Sequence, residues 1–178
     1  FSTYYNYIKV GFHLTVRKQN INIAIHCITF IFGCFYSANQ LLVNNIREAY
    51  GATDVQMAMM IGALYAGPLL MVLVFGSLSD RIGRKQSATI ALLMVTTGLI
   101  LLIISANISL VIIGYFIYSA GISGAESIFF AITSDINGEN SGKYLAFNQA
   151  LFSIGAMISP IVISASISPD TYRLVYFI

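Results

Sequence analysis

GSLSDRIGRKQ, residues 76–86, is a charged, glycine-punctuated stretch set between two long apolar runs. Outward from it the chain is overwhelmingly greasy. Apolar residues make up 57% of 178 positions, charged residues only 9%, and the mean hydropathy is +0.80. A soluble domain carries roughly 25% charge, so water cannot be the solvent for most of this surface. About 20 apolar residues cross a ~30 Å hydrocarbon core as a helix. On that measure we expect five full spans, near 21–45, 55–79, 87–106, 108–134 and 144–168, with a sixth beginning at Tyr172 and cut off at Ile178. The fold class expected is therefore all-α and polytopic. Residues 1–20 read as a cytoplasmic N-terminal segment and not as a signal peptide, because Lys9, Arg17 and Lys18 interrupt them and no apolar core leads to a cleavage site. Residues 21–178 form the transmembrane bundle. The start at Phe1 and the interrupted sixth span lead us to expect a piece of a longer chain.

Basic residues set the orientation. Lys9, Arg17, Lys18, Arg81, Arg84, Lys85 and Lys143 fall on one side of the alternating spans, and only Arg47 and Arg173 on the other. The positive-inside bias then puts the N-terminus in the cytoplasm of a multi-pass protein of the cell membrane. A net charge of +2 gives no reason to expect nucleic acid as a partner. Cys27 and Cys34 lie seven residues apart on the first span, separated by ~10 Å of helical rise, and cannot pair with each other.

In the 76–86 stretch, Gly76 would let the end of the second helix approach a neighbour closely, and Gly83 would allow a tight turn that a side chain opposes. Asp80 sits at the membrane boundary beside Arg81, Arg84 and Lys85, where it can accept charge-assisted hydrogen bonds. A positive-inside loop needs only the basic residues, so it explains neither the glycines nor Asp80.

Gly76, Leu78, Asp80, Arg81, Gly83, Arg84 and Lys85 match G-x-L-x-D-R-x-G-R-K, the signature loop after the second membrane helix of the major facilitator superfamily, and the chain resembles the N-terminal six-helix half of such a transporter. The resemblance implies that this loop latches two halves together at the cytoplasmic face and releases as the transporter turns inward. It assigns that role to Gly76, Asp80, Gly83 and Arg84. TYRLVYFI at the C-terminus is similar to the start of the family's sixth helix. In the fifth span, Gly155, Ser159 and Pro160 resemble the Gly-x-x-x-Gly-Pro element of the family's antiporters, multidrug exporters above all, with Ser159 in place of a glycine and Ile163 and Ser164 where a further glycine pair is expected. This partial match points weakly to efflux. Proton-coupled members often carry an arginine in the fourth helix, four residues before a glycine. Here those positions are Ile117 and Ala120, and no Lys or Arg occurs from Gln86 to Gly142.

Glu126 is the acid well inside the fourth span. A carboxylate there costs several kcal/mol unless it is protonated, paired or facing water, which makes an intramembrane acid a functional hypothesis by default. Two readings stand: a proton carrier, or a structural acid bonded to a neighbouring helix or meeting water near the cytoplasmic side. Asp135, at the end of the same span, reads as a boundary residue and a candidate partner for Arg84. Tyr36, Asn39 and Gln40 lie within about one turn of each other on the first span, with Thr29 on a similar face. Tyr115 and Glu126 share one side of the fourth span, while Asn148, Gln149 and Ser153 open the fifth. Tyr36, Asn39, Gln40, Tyr115 and Gln149 are accordingly the substrate-path candidates, each equally able to serve as an interhelical hydrogen bond. The resemblance adds that the first, second, fourth and fifth helices of this half line the central path. Tyr65 and Pro68 could shape the same cavity, and His26 reads as a packing or interfacial imidazole.

No nucleotide-binding glycine loop ending in Lys-Ser or Lys-Thr, no spaced His and Cys ligands and no acid–base pair in a soluble domain are present, so we expect neither an enzyme nor a cofactor nor a metal. The function expected is secondary transport of a small solute by alternating access, this half rocking against a second one about a midplane site, with the proton as coupling ion. The alternative is a membrane-embedded sensor or scaffold that retains the transporter fold.

Overall fold

Helix ends along the chain are fixed by local chemistry. The computed structural model describes residues 2–164, with side chains from 17 to 163. Helix α1 runs Ser2–Tyr50, α2 Asp54–Ile82, α3 Arg84–Ile104, α4 Ile108–Asn137 and α5 Ser141–Ser164, with a single 3-10 turn at Gly138–Asn140. Thr53 starts α2 with a capping box: its Oγ1 accepts from the Gln56 amide, and the Gln56 side chain accepts from the Thr53 amide at 2.9 Å. Asn107 caps α4 in the same way, its Oδ1 accepting from the Leu110 amide at 3.0 Å. Between α2 and α3 the chain turns on one residue, Gly83, with φ 89° and ψ 154°, a conformation that is essentially glycine's alone.

Cross-helix contacts give the topology. On α1, His26 meets Asn148 and Cys34 meets Gly155, so α1 and α5 run parallel. Asn22 bonds Asn137 and Asn39 bonds Tyr118, so α4 runs antiparallel to α1. Gly67 meets Ser119 and Phe75 meets Gly124, which makes α2 parallel to α4. Val95 meets Gly121 and Leu102 meets Gly114, which makes α3 antiparallel to α4. The five helices thus alternate in direction, as successive crossings must. Asn22, Arg84 and Asp135 gather at one end of the bundle; the opposite end is tied by Tyr50 Oη, 2.6 Å from Ser105 Oγ, and by an exposed Arg47–Asp54 ion pair at 2.6 Å.

Length and apolarity mark four tracts able to cross a membrane, where five spans were expected: Arg17–Tyr50, Asp54–Ile82, Arg84–Ile104 and Ile108–Ile163. The last takes in both α4 and α5, because the turn between them at Gly138–Asn140 is itself helical and leaves no break. Helix α1 also begins far earlier than the expected span, so the N-terminal segment continues the helix instead of standing apart from it. Tyr172 and Arg173 lie outside the described residues, and so does the sixth span.

Helix α4 is the axis of the bundle. From Tyr118 to Ala125 every residue is buried, the pattern of a helix surrounded on all sides. By contrast, α2 exposes Leu69, Leu70 and Leu73, an outer face suited to lipid. Lipid offers helices no hydrophobic reason to associate, so contact depends on backbones coming close enough for dispersion. Glycines make that possible. A Cβ on Gly98 would lie 2.5 Å from the Tyr118 amide, and one on Gly67 would lie 2.6 Å from Ser119 Oγ. Gly76 does not act this way: it is exposed and a Cβ there meets nothing, so the close approach expected at the end of α2 occurs two and a half turns earlier, at Gly67.

Gly98→Leu should therefore destabilise the bundle by about 1–3 kcal/mol through overpacking against Tyr118, whereas Gly62→Ala, in open space, should be neutral. Thermal unfolding in detergent separates the two; equal midpoints would refute the α3–α4 contact. In the turn, Gly83→Ala should cost about 1–3 kcal/mol from its backbone conformation alone. Gly76→Ala should cost nothing, and the reverse order would show that the turn had been misassigned.

Candidate functional site

Three groups of polar side chains interrupt the apolar packing. At the turn between α2 and α3, the Gly83 amide donates to the Ser79 carbonyl at 3.1 Å and its own carbonyl accepts from Ser87, so one residue ends α2 and begins α3. Arg84, the first residue of α3, is thereby aimed back across the turn. Its Nη1 donates to Asp80 Oδ1 at 3.2 Å and to Ser79 Oγ, and its Nε donates to Asp135 Oδ2 at 3.2 Å. The guanidinium thus joins α2, α3 and α4 at one end of the bundle. Asp80 and Asp135 are largely exposed, at 74% and 57%, so each ion pair contributes at most about 1 kcal/mol. Arg81 and Lys85 point outward and are exposed.

Beside this cluster Asn22 and Asn137 exchange amide hydrogen bonds at 3.0 and 3.1 Å, and Asn137 Nδ2 also donates to the Thr133 carbonyl. This part-buried α1–α4 clamp was missed in the sequence, where nothing along either helix pairs two asparagines 115 residues apart.

The second group surrounds a cavity of about 180 Å³ between α1, α2 and α4. Tyr36 and Asn39 come from α1, Tyr65 and Pro68 from α2, and Tyr118, Ser119, Ser123 and Glu126 from α4; Leu64, Ile122 and Phe152 complete the wall. The α4 members recur at 119, 122–123 and 126, one face of a helix. Glu126 is half-buried and, among the described residues, has neither an ion-pair nor a hydrogen-bond partner. Tyr36 lies within reach of both Tyr65 and Gln40. Asn39, only 2% exposed, donates through Nδ2 to the Phe35 carbonyl at 2.7 Å and to Tyr118 Oη at 3.2 Å. A carbonyl can only accept, so this bond fixes which end of the amide is nitrogen. The other end, Oδ1, is buried without a partner. Leaving a buried acceptor unmade costs about 1–3 kcal/mol. Ser123 Oγ donates to the Pro68 carbonyl at 3.3 Å, tying α4 to α2 beside the proline within that helix.

Three substrate-path candidates lie off this wall. Tyr115 is 1% exposed and packs within the core, not against the cavity. Gln149 is exposed and outside it, for a reason of register: α5 closes on α1 through Asn148, Phe152, Gly155 and Ser159, and position 149 is ~100° around from that face. The polar start of α5 thus contributes no polar group to the cavity, whose α5 wall is Phe152. Gln40 is exposed on α1 beside Tyr36.

The third group is the α1–α5 seam. Built as alanine, Gly155 would collide with the Phe30 carbonyl, so the small residue is needed there. Ser159 is 4% exposed with its Oγ unpartnered, and Pro160 lies within α5. His26 Nδ1 lies 2.5 Å from Asn148 Oδ1, with the imidazole stacked on Tyr144 and edge-on to Phe147. Among the described residues no three His, Cys, Asp or Glu side chains gather as metal ligands.

Comparisons agree with this arrangement. The profile of the Major Facilitator Superfamily matches residues 25–178. The chain is 24% identical over 110 residues to the "Vacuolar basic amino acid transporter 5" of Saccharomyces cerevisiae, covering 61% of this chain and 19% of that protein. It is 25% identical over 148 residues to the "L-fucose-proton symporter" of Escherichia coli, covering 80% of this chain and 34% of that protein. The chain therefore spans about a third or less of the length of these relatives. No solved structure matches it significantly. With the family profile covering most of its length, over a bundle of alternating apolar helices whose signature-loop arginine joins three of them, the chain belongs to the major facilitator superfamily.

Proposed function

We propose that this chain is the N-terminal half of a secondary transporter that moves a small solute by alternating access, with Glu126 as the proton-carrying group and the Asp80–Arg84–Asp135 cluster as its cytoplasmic latch. The observation that carries the reading is the cavity at Glu126. A carboxylate placed in a membrane helix with no ion-pair partner is expensive, and it is retained beside an open space lined by tyrosines. A structural acid would be expected to have found a bonding partner. The similarity to a protein named as a proton symporter supports the proton as coupling ion. Without a basic residue from Gln86 to Gly142, coupling would run through the acid itself.

The ends of the bundle support the orientation. Arg17, Lys18, Arg81, Arg84, Lys85 and Lys143 belong to the end where Asn22 meets Asn137, and Arg47 to the opposite one. The positive-inside bias places the first end in the cytoplasm of a multi-pass protein of the cell membrane. The Gly155–Ser159–Pro160 step supports neither import nor export, because close packing of α5 on α1 is reason enough for its small residues.

Three outcomes test this reading. In vesicles, Glu126→Gln should abolish solute movement driven by a pH gradient while leaving exchange without a gradient measurable; pH-driven transport that survives would return the residue to a structural role. Asp80→Asn should insert normally, since one exposed ion pair contributes at most about 1 kcal/mol, yet slow transport. Unchanged transport would remove Asp80 from the latch. Cysteines placed at 80–86 should label only from the cytoplasm and those at 47–53 only from outside, and the reverse pattern would invert the topology.

A further inference from the structure

We infer that the cavity between α1, α2 and α4 is a binding site for a protonated organic amine, its ammonium held by Glu126 and its apolar body by the rings and aliphatic groups opposite. This rests on the transport reading and names the substrate class for the same site. Charge comes first. Among the described residues Glu126 is the charged group lining the cavity, and no Lys, Arg or His lines it. His26, ten residues before Tyr36 on α1, is ~15 Å away by helical rise and already engaged with Asn148. An anionic solute would therefore find no counter-charge on this wall and one like charge.

Hydrogen-bonding capacity points the same way. The ionised carboxylate of Glu126 only accepts and has no bonding partner among the described residues, while an ammonium carries three donors and no acceptor, so the two suit each other. A neutral alcohol would bring a single donor and no charge. The rings of Tyr36 and Tyr65 add faces on which a cation is favoured within ~6 Å. A bare metal ion fits poorly, because Leu64, Ile122 and Phe152 supply apolar surface where it would need oxygen ligands. About 180 Å³ is the room of roughly six water molecules, enough for an amine with a short chain or a single ring.

Purified full-length protein bearing this chain should be titrated with 2-phenylethylamine, its neutral analogue 2-phenylethanol and the anion 3-phenylpropionate, following the unfolding midpoint. The amine should raise the midpoint saturably, and the alcohol and the acid should not at equal concentration. Glu126→Gln should weaken amine binding at least about tenfold, as loss of a desolvated counter-charge requires. Should that variant fail to fold, Tyr65→Leu, altering a half-exposed ring, should weaken it several-fold while Tyr65→Phe stays near wild type. Equal stabilisation by amine and alcohol, or undiminished amine binding in Glu126→Gln, would overturn the inference. Transport of a neutral or anionic solute by a protein that binds no amine would overturn it too, while leaving the transport reading intact. Amine binding by a protein that moves no solute would uphold the site and remove the transport reading.

Discussion

Everything in this bundle hangs on how closely α4 can be approached. In a hydrocarbon solvent apolar side chains gain nothing by meeting one another instead of lipid, so helices associate where their surfaces fit at backbone distance. Helix α4 meets that condition on two sides, against α2 and against α3. Gly67 of α2 admits Ser119 and the Phe116 carbonyl, Gly98 of α3 admits the Tyr118 backbone, and Gly121 and Gly124 of α4 admit Val95 and the Phe75 ring. The stretch from Ser119 to Ala125 is therefore enclosed and, Ile122 apart, small. Glu126 is the next residue along, and with Ser119, Ile122 and Ser123 it forms the α4 side of the cavity left against α1 and α2.

The same geometry explains what was legible in the sequence. Hydropathy located the helices because each must cover a membrane's thickness, but their ends are set by caps, Thr53 and Asn107, that hydropathy does not register. Gly83 could be read because its turn is local: two helices meet at one residue, and one φ value decides the matter. Gly76 could not, since a glycine's use in packing depends on what faces it, and nothing in the described residues faces Gly76.

Which polar residues share the cavity was only half legible, and the failures are of one kind. Tyr36, Asn39 and Glu126 were placed by counting along single helices, which gives faces but not the rotation of one helix on another. Gln149 and Tyr115 went astray because that rotation is set by Gly33, Gly155 and Gly98 against their partners. Tyr118 and Ser123 were missed for the same reason: each looks like filling until α1 and α2 are laid against α4. His26 and Asn148, on different helices, became a pair only once α5 was docked on α1.

A final contrast separates what holds this half together from what could move. The Asn22–Asn137 clamp is reciprocal and part-buried, and breaking it would strand the amide of Asn22, 5% exposed, away from water. The Arg84 cluster at the same end is more open, its two carboxylates largely exposed, and its three acceptors sit on two helices around a single-glycine turn. The two carboxylate bonds can be traded for water at little cost, and each can be lost without the other. Strong buried polar contacts make a rigid unit, whereas several weak exposed ones make a contact that can be exchanged for a different set. In the proposed cycle the rigid unit is what rocks. Arg84 suits the latch because its attachments are numerous enough to fix the guanidinium's direction and weak enough to be given up when another surface offers carboxylates in their place.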